Sequence, residues 1–159
     1  MAAPAPLEGR LVTREGGLIA LAATALTLLS PFLIMGWLAR LSGWTRLAAQ
    51  YPDQGRMPDR RKWLGYAVFR GWVGYNGALI VASDARGLFL RTLPVLLSWA
   101  HPPVFIPWAE IERIEQGGRW YGRVHEIHTR RAPDVHFALR PRTYAFVHDD
   151  ARAAHVPGA

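Results

Sequence analysis

A single membrane-spanning helix near the N-terminus, followed by a mainly-β small barrel of about seven antiparallel strands and a C-terminal helix, is the architecture this sequence predicts. An uncharged apolar run occupies residues 16 to 39. Beyond Trp63, short apolar stretches alternate with pairs of Asn, Asp, Gly and Pro, which is the punctuation of strands and turns. Residues from about 141 to 153 open on Pro141, suited to a first helical turn, and offer Tyr144, Phe146 and Val147 for packing.

The chain of 159 residues has room for one ordinary domain besides the span. Its 12 prolines and 15 glycines are spread along a composition that is 50% hydrophobic, which fits a folded chain rich in turns. Cysteine is absent, so disulfides, thiol nucleophiles and cysteine-ligated metal centres are excluded. The formal charge is +7, and Lys62 is the only lysine. In the short N-terminal tail, residues 1 to 15, Arg10 and Arg14 balance Glu8 and Glu15, so the positive charge lies after the apolar run. A basic domain beside a membrane span points to anionic headgroups; on a soluble chain the same charge would point first to nucleic acid.

Residues 16 to 39 read GGLIALAATALTLLSPFLIMGWLA, long enough to cross a hydrocarbon core of about 30 Å at about 1.5 Å per residue. A signal peptide has a shorter apolar region and a small-residue cleavage site, whereas this run leads into Met35, Trp37 and Arg40. Pro31 frees a carbonyl that Ser30 or Thr27 is placed to bond, or it leaves a kink. Trp37 and Trp44 fall near the C-terminal boundary, where indoles favour the headgroup region. Arg40, Arg46, Arg56, Arg60, Arg61 and Lys62 follow the run, and the positive-inside tendency then predicts a single-pass inner-membrane protein with a cytoplasmic C-terminal domain.

Residues 40 to 62 begin as a short amphipathic stretch and pass into turn chemistry at Pro52, Gly55 and Pro58. They read as a basic juxtamembrane connector, either held on an anionic leaflet or simply a solvated topogenic cluster. The domain proper is expected over residues 63 to 153, with residues 154 to 159 as a tail. Val68 to Val73 reads as its first strand, and Asn76-Gly77 as a hairpin turn, because both central positions of that turn take positive φ. Ala78 to Ala82, Leu88 to Arg91, Val104 to Trp108, Ile111 to Glu115, Tyr121 to Thr129 and Val135 to Arg140 supply the remaining strands.

The segments Gly87-Leu-Phe-Leu90 and Val104-Phe-Ile-Pro-Trp-Ala-Glu-Ile111 resemble the glycine-led strand and the I-P-W-x-E-I strand of the pleckstrin-homology-like (PH-like) superfamily, within it the GRAM-type and bacterial membrane-anchored versions. The resemblance covers roughly residues 66 to 150 and implies a PH-like barrel. Phosphoinositide-binding members carry basic residues in the loop joining the first two strands. Here the expected loop, Gly74-Tyr-Asn-Gly77, is uncharged, and such binding is not implied.

The connection Thr92 to Pro103 is unusually apolar, with Leu93, Val95, Leu96, Leu97 and Trp99. It packs over an open end of the barrel as a short helix, the favoured reading, or it dips into the interface beside the span or receives a partner. His125 and His128 have metal-like spacing only on a helix, and their surroundings read as strand. The other histidines, His101 among them, read as surface or turn residues, Glu110, Glu112 and Glu115 as a solvated strand face, and Asp149-Asp150 as a pair close to a frayed end. No nucleophile elbow and no phosphate-binding loop is present, and no cofactor is expected. The arginines and aromatics of residues 119 to 131 fit a tethered domain more economically than a nucleic-acid binder.

The leading expectation is therefore a non-enzymatic, membrane-anchored adaptor or accessory subunit that meets membrane lipids and a membrane-protein partner. Its expected contacts are Arg40, Arg46, Arg60, Arg61, Lys62, Trp44, Leu96, Leu97 and Trp99. One alternative is a small-ligand carrier or enzyme using the barrel interior, with His125, Glu126 and His128 as its polar group. The other is a structural subunit of a larger membrane complex.

Overall fold

The computed structural model of the chain describes residues 8–53, 55, 57–93, 98–120 and 122–159, with side chains from Gly16 onward. Two compact units emerge, the first ending at Ile34 and the second running from Met35 to Ala159.

Helix α1 (Glu8–Leu41) makes up the first unit and continues into the second. Over Gly16–Leu41 it is long and apolar enough to cross a membrane, with mean hydropathy 2.2. Pro31 has no N–H to offer the Thr27 carbonyl. Ser30 Oγ donates to that same carbonyl at 3.0 Å, as its position in the sequence predicts. The Thr24 and Thr27 hydroxyls bond the carbonyls of Ala20 and Ala23 at 2.8 and 2.9 Å, so each hydroxyl of the apolar run is satisfied within the helix.

In the second unit, α2 (Trp44–Gln50) follows α1 almost at once. Then come β1 (Arg61–Phe69), β2 (Val73–Asp84), β3 (Gly87–Thr92), β4 (Val104–Pro107), a 3-10 turn at Trp108–Glu110, β5 (Ile111–Arg119), β6 (Gly122–Thr129), β7 (Phe137–Leu139) and α3 (Pro141–Ala153). The seven strands form one antiparallel sheet in the order β4-β3-β2-β1-β7-β6-β5, curled into a half-barrel with α3 packed against it. Phe69, Leu79, Leu90, Ile106, Ile127 and Phe137 fill its interior.

Both outer strands are partly covered, which limits edge-to-edge pairing. Along β4, the Phe105 N–H donates to the Tyr51 carbonyl at 3.0 Å and Pro52 bridges to Val104. Along β5, the Ile114 N–H donates to the Pro157 carbonyl at 2.8 Å, and Val156 is buried. Residues 154 to 159 are thus an edge cover and not a tail.

Three further expectations are corrected. The first hairpin turns at Arg70 and Gly71, with φ of +50° and +78°, and the Trp72 N–H closes it onto the Phe69 carbonyl at 3.2 Å. Asn76-Gly77 instead lies inside β2, where the pairing slips from Tyr66↔Asn76 to Gly65↔Leu79. The positive φ of Gly77, +68°, serves a bulge there. The loop joining the first two strands consequently carries a charge, Arg70, already paired with Asp134 at 3.2 Å. Residues 40 to 62 are not merely a connector, because Trp44, Leu47, Ala48 and Tyr51 all lie in the main core. Asp150, expected close to a frayed end, is anchored: its carboxylate accepts from Ser83 Oγ and pairs with Arg60 Nη1 at 3.2 Å.

Candidate functional site

The end of the apolar helix gathers most of what is chemically distinctive. Gly43, with φ +80°, takes the left-handed conformation that separates α1 from α2, and a Cβ there would come 2.8 Å from Val135 Cγ2. This abrupt turn drives Trp44 into the domain. Trp44 is 0% exposed, and its indole N–H donates to the Pro102 carbonyl at 2.8 Å. The expected headgroup position for Trp44 is therefore overturned, because the chain re-enters the fold one helical turn too early to leave it outside. The rings of Phe69, Tyr75 and His101 surround it with centroids at 5.3, 5.5 and 5.4 Å, tilted or edge-on as aromatic quadrupoles prefer.

Beside Trp44 runs a buried polar chain. Ser42 Oγ lies 3.0 Å from the Tyr75 hydroxyl, which lies 2.7 Å from His101 Nε2. Ser42 Oγ also accepts the Trp44 N–H at 3.2 Å and is 3.2 Å from the Ala39 carbonyl. His101 is 1% exposed. The chain ties the end of α1, strand β2 and the approach to β4 together. Burial pushes the Tyr75 hydroxyl up to about 12, against the opposing pull of the Ser42 bond. A phenol held that far above neutrality is a poor general acid or base at neutral pH, so the cluster reads as a fastening.

Outside this fastening, Trp37, Trp72 and Trp99 are 65%, 59% and 57% exposed. They sit around the last turns of α1. Trp72 shares a cavity with Met35 and Leu38, and a Cβ on Gly36 would come 3.3 Å from Trp99 Cη2. That cavity has a volume of about 400 Å³, and Tyr75, Ala78 and His101 line it from the domain side. Arg40 is exposed at the same place. Arg46 and Arg70 share Asp134 at 3.0 and 3.2 Å, and Arg70 Nη1 lies 3.5 Å from the Leu41 carbonyl.

The expected basic cluster is split in two. Arg60, Arg61 and Lys62 stand at the opposite end of β1 from Arg70, about 26 Å along the strand at about 3.3 Å per residue. Arg60 Nη2 bonds the Phe146 carbonyl at 3.2 Å, and Arg61 lies over the Trp63 ring at 5.3 Å. At several Debye lengths from the helix end, they are no part of one electrostatic patch with Arg40 and Arg46. Leu96 and Leu97 lie outside the described residues. The neighbouring Thr92 is buried, and Leu93 packs on Met57, Ile80 and Phe89.

His125, Glu126 and His128 do not converge. His125 stacks on Tyr144 with centroids 3.7 Å apart, and its buried Nδ1 has no hydrogen-bond partner among the described residues. Desolvation, then the charge of His148, holds its pKa below the usual histidine value. Glu126 receives Arg119 Nε at 2.7 Å, while His128 Nε2 is 3.5 Å from Glu115 Oε2, with no hydrogen bond between them. Among the described residues no group of His, Cys, Asp and Glu is arranged to hold a metal ion.

Sequence reasoning passed over His101, Tyr75 and Trp72. Its available signal was a histidine and a tryptophan within an apolar connection, read as a loop rather than as two sides of one packed junction. No known family model matches the chain, and no curated protein matches it.

Proposed function

We propose that this chain is a membrane-anchored, non-enzymatic module, in which the apolar helix crosses the membrane once and the half-barrel, a PH-like domain, works at the surface as an adaptor or accessory subunit. The observation that carries the reading is the set of exposed indoles, Trp37, Trp72 and Trp99, around the last turns of the helix. Indoles favour the boundary between hydrocarbon and water, and three of them on a water-facing surface would be a liability. Arg40, exposed at the helix end, and Arg46, which shares Asp134 with Arg70, leave a net positive charge there, which supports contact with an anionic leaflet. The excess of basic residues after the helix favours a cytoplasmic domain in an inner membrane. A membrane-protein partner is the second ligand of this surface, reached through Trp99 and the apolar connection that carries it.

The test begins with alkaline carbonate extraction of native membranes, where the full-length protein is expected in the pellet. Purification in mild detergent then follows, with mass determination of what accompanies it, for the native chain and for Trp72→Ser with Trp99→Ser. A stoichiometric partner lost from the double variant is the expected result. Release by carbonate, or a double variant with every association intact, would sink the reading.

A further inference from the structure

The cavity between the end of α1 and the first hairpin has a composition unlike an ordinary surface crevice. Met35 and Leu38 line it from α1 and Trp72, Val73 and Ala78 from the first hairpin; the buried Tyr75 and His101 are hydrogen-bonded to each other, and Asn76 adds an exposed amide. At about 400 Å³ it falls within the range of small-ligand pockets, roughly 300 to 1,000 Å³. A largely apolar recess of that size whose buried polar groups are already satisfied favours a hydrocarbon occupant over a polar one.

The depth of the cavity identifies the source of that hydrocarbon. The 26 residues of Gly16–Leu41 rise about 39 Å against a hydrocarbon core of about 30 Å. Centred in the bilayer, the helix leaves about 5 Å at each end. Leu38, about 4.5 Å back from Leu41, then lies at the hydrocarbon boundary, and Met35 lies about 4.5 Å deeper. Trp72 stands at the rim, where an indole meets the glycerol region.

We infer that this cavity is a lipid site, which takes one acyl chain of a bilayer phospholipid between α1 and β2. The inference rests on the membrane-anchored reading and adds a specific ligand to it. An acyl chain seated there packs against Ala78 beside the buried Tyr75 and His101 and couples the packing of the domain to the lipid beside it.

The experiment places the full-length protein in phosphatidylcholine vesicles containing a trace of phospholipid with a photoreactive diazirine in its acyl chain. Irradiation is followed by peptide mapping. Adducts concentrated on residues 35 to 38 and 72 to 78 are expected, falling about tenfold in Ala78→Leu, which fills the cavity, and in Trp72→Ala, which opens its rim without touching the core. Trp72→Ala decides the matter if Ala78→Leu fails to fold. Adducts spread evenly over residues 16 to 41 with no peak at 72 to 78 would leave only ordinary boundary lipid and overturn the inference. Suppression of the peak at 72 to 78 by free fatty acid at a level far below the phosphatidylcholine already present would overturn the assigned source. Neither outcome touches the carbonate result, so failure of the lipid site and failure of the anchor are told apart.

Discussion

Replacing Trp44 by alanine separates two accounts of the helix end. At the membrane surface an indole contributes little to folding, and its loss lies within about 0.5 kcal/mol, as for other exposed positions. In the structure Trp44 is 0% exposed and packed among Phe69, Tyr75 and His101. Truncating a buried tryptophan to alanine costs about 3 to 5 kcal/mol. The lost donation to Pro102 adds little, because Pro102 is exposed and water replaces the indole there. The expected cost is therefore about 4 kcal/mol, about a quarter or more of the roughly 5 to 15 kcal/mol that holds a typical domain folded. With a urea m value of about 2 kcal/mol/M, the unfolding midpoint drops by about 2 M. The assay is urea-dependent pulse proteolysis of the full chain in detergent, with Trp37→Ala, at 65% exposure, as the surface comparison. Equal midpoints for the two variants would refute the buried position of Trp44 and the early turn at Gly43 that creates it.

Two further outcomes follow from local geometry. In Gly87→Ala, the new Cβ would lie 2.3 Å from the Ile106 backbone oxygen, so β3 and β4 cannot keep their pairing; amide exchange should accelerate selectively at Leu88, Leu90 and Ile106, and an unchanged pattern would contradict the register. His125 titrates below its unfolded value because burial disfavours its charged form, so the unfolded chain binds more protons in the interval between the two pKa values. Its contribution is fully present above about pH 6.5 and is lost as pH falls from there through the lowered folded value. His125→Gln should flatten the stability profile on the acid side of about pH 6.5 relative to the native chain, read from urea midpoints as pH falls.

The apolar helix, the succession of strands and the closing helix were legible because each rests on local information: an uncharged run, alternation, and Pro141 at a first turn. The half-barrel's connections were less so. Asn76-Gly77 carries a strong turn signal, yet Gly77 serves a bulge, and the less conspicuous Arg70-Gly71 makes the hairpin. Both sites use positive φ, and sequence alone does not say which of two such sites reverses the chain. Trp44 and His101 were misplaced for a different reason. They lie 5.4 Å apart in space and are joined through Ser42 and Tyr75, residues far apart along the chain. Such a junction leaves no periodic trace. Arg60, Arg61 and Lys62 looked like part of one basic cluster with Arg40 and Arg46 until the length of β1 came between them.

The fate of residues 40 to 62 bears on how such a module would work. As a free connector, that stretch would have a root-mean-square span of about 25 Å, enough to let a tethered domain search for partners away from the bilayer. Instead Ala39, Trp44, Leu47 and Tyr51 are buried and Leu38 packs against the same core. The last turn of the apolar helix is thus part of the domain's own packing, fastened through Ser42, Tyr75 and His101. On the adaptor reading, such a module would have little reach; a partner would have to come to the membrane surface and would meet the region bounded by Trp37, Trp72 and Trp99.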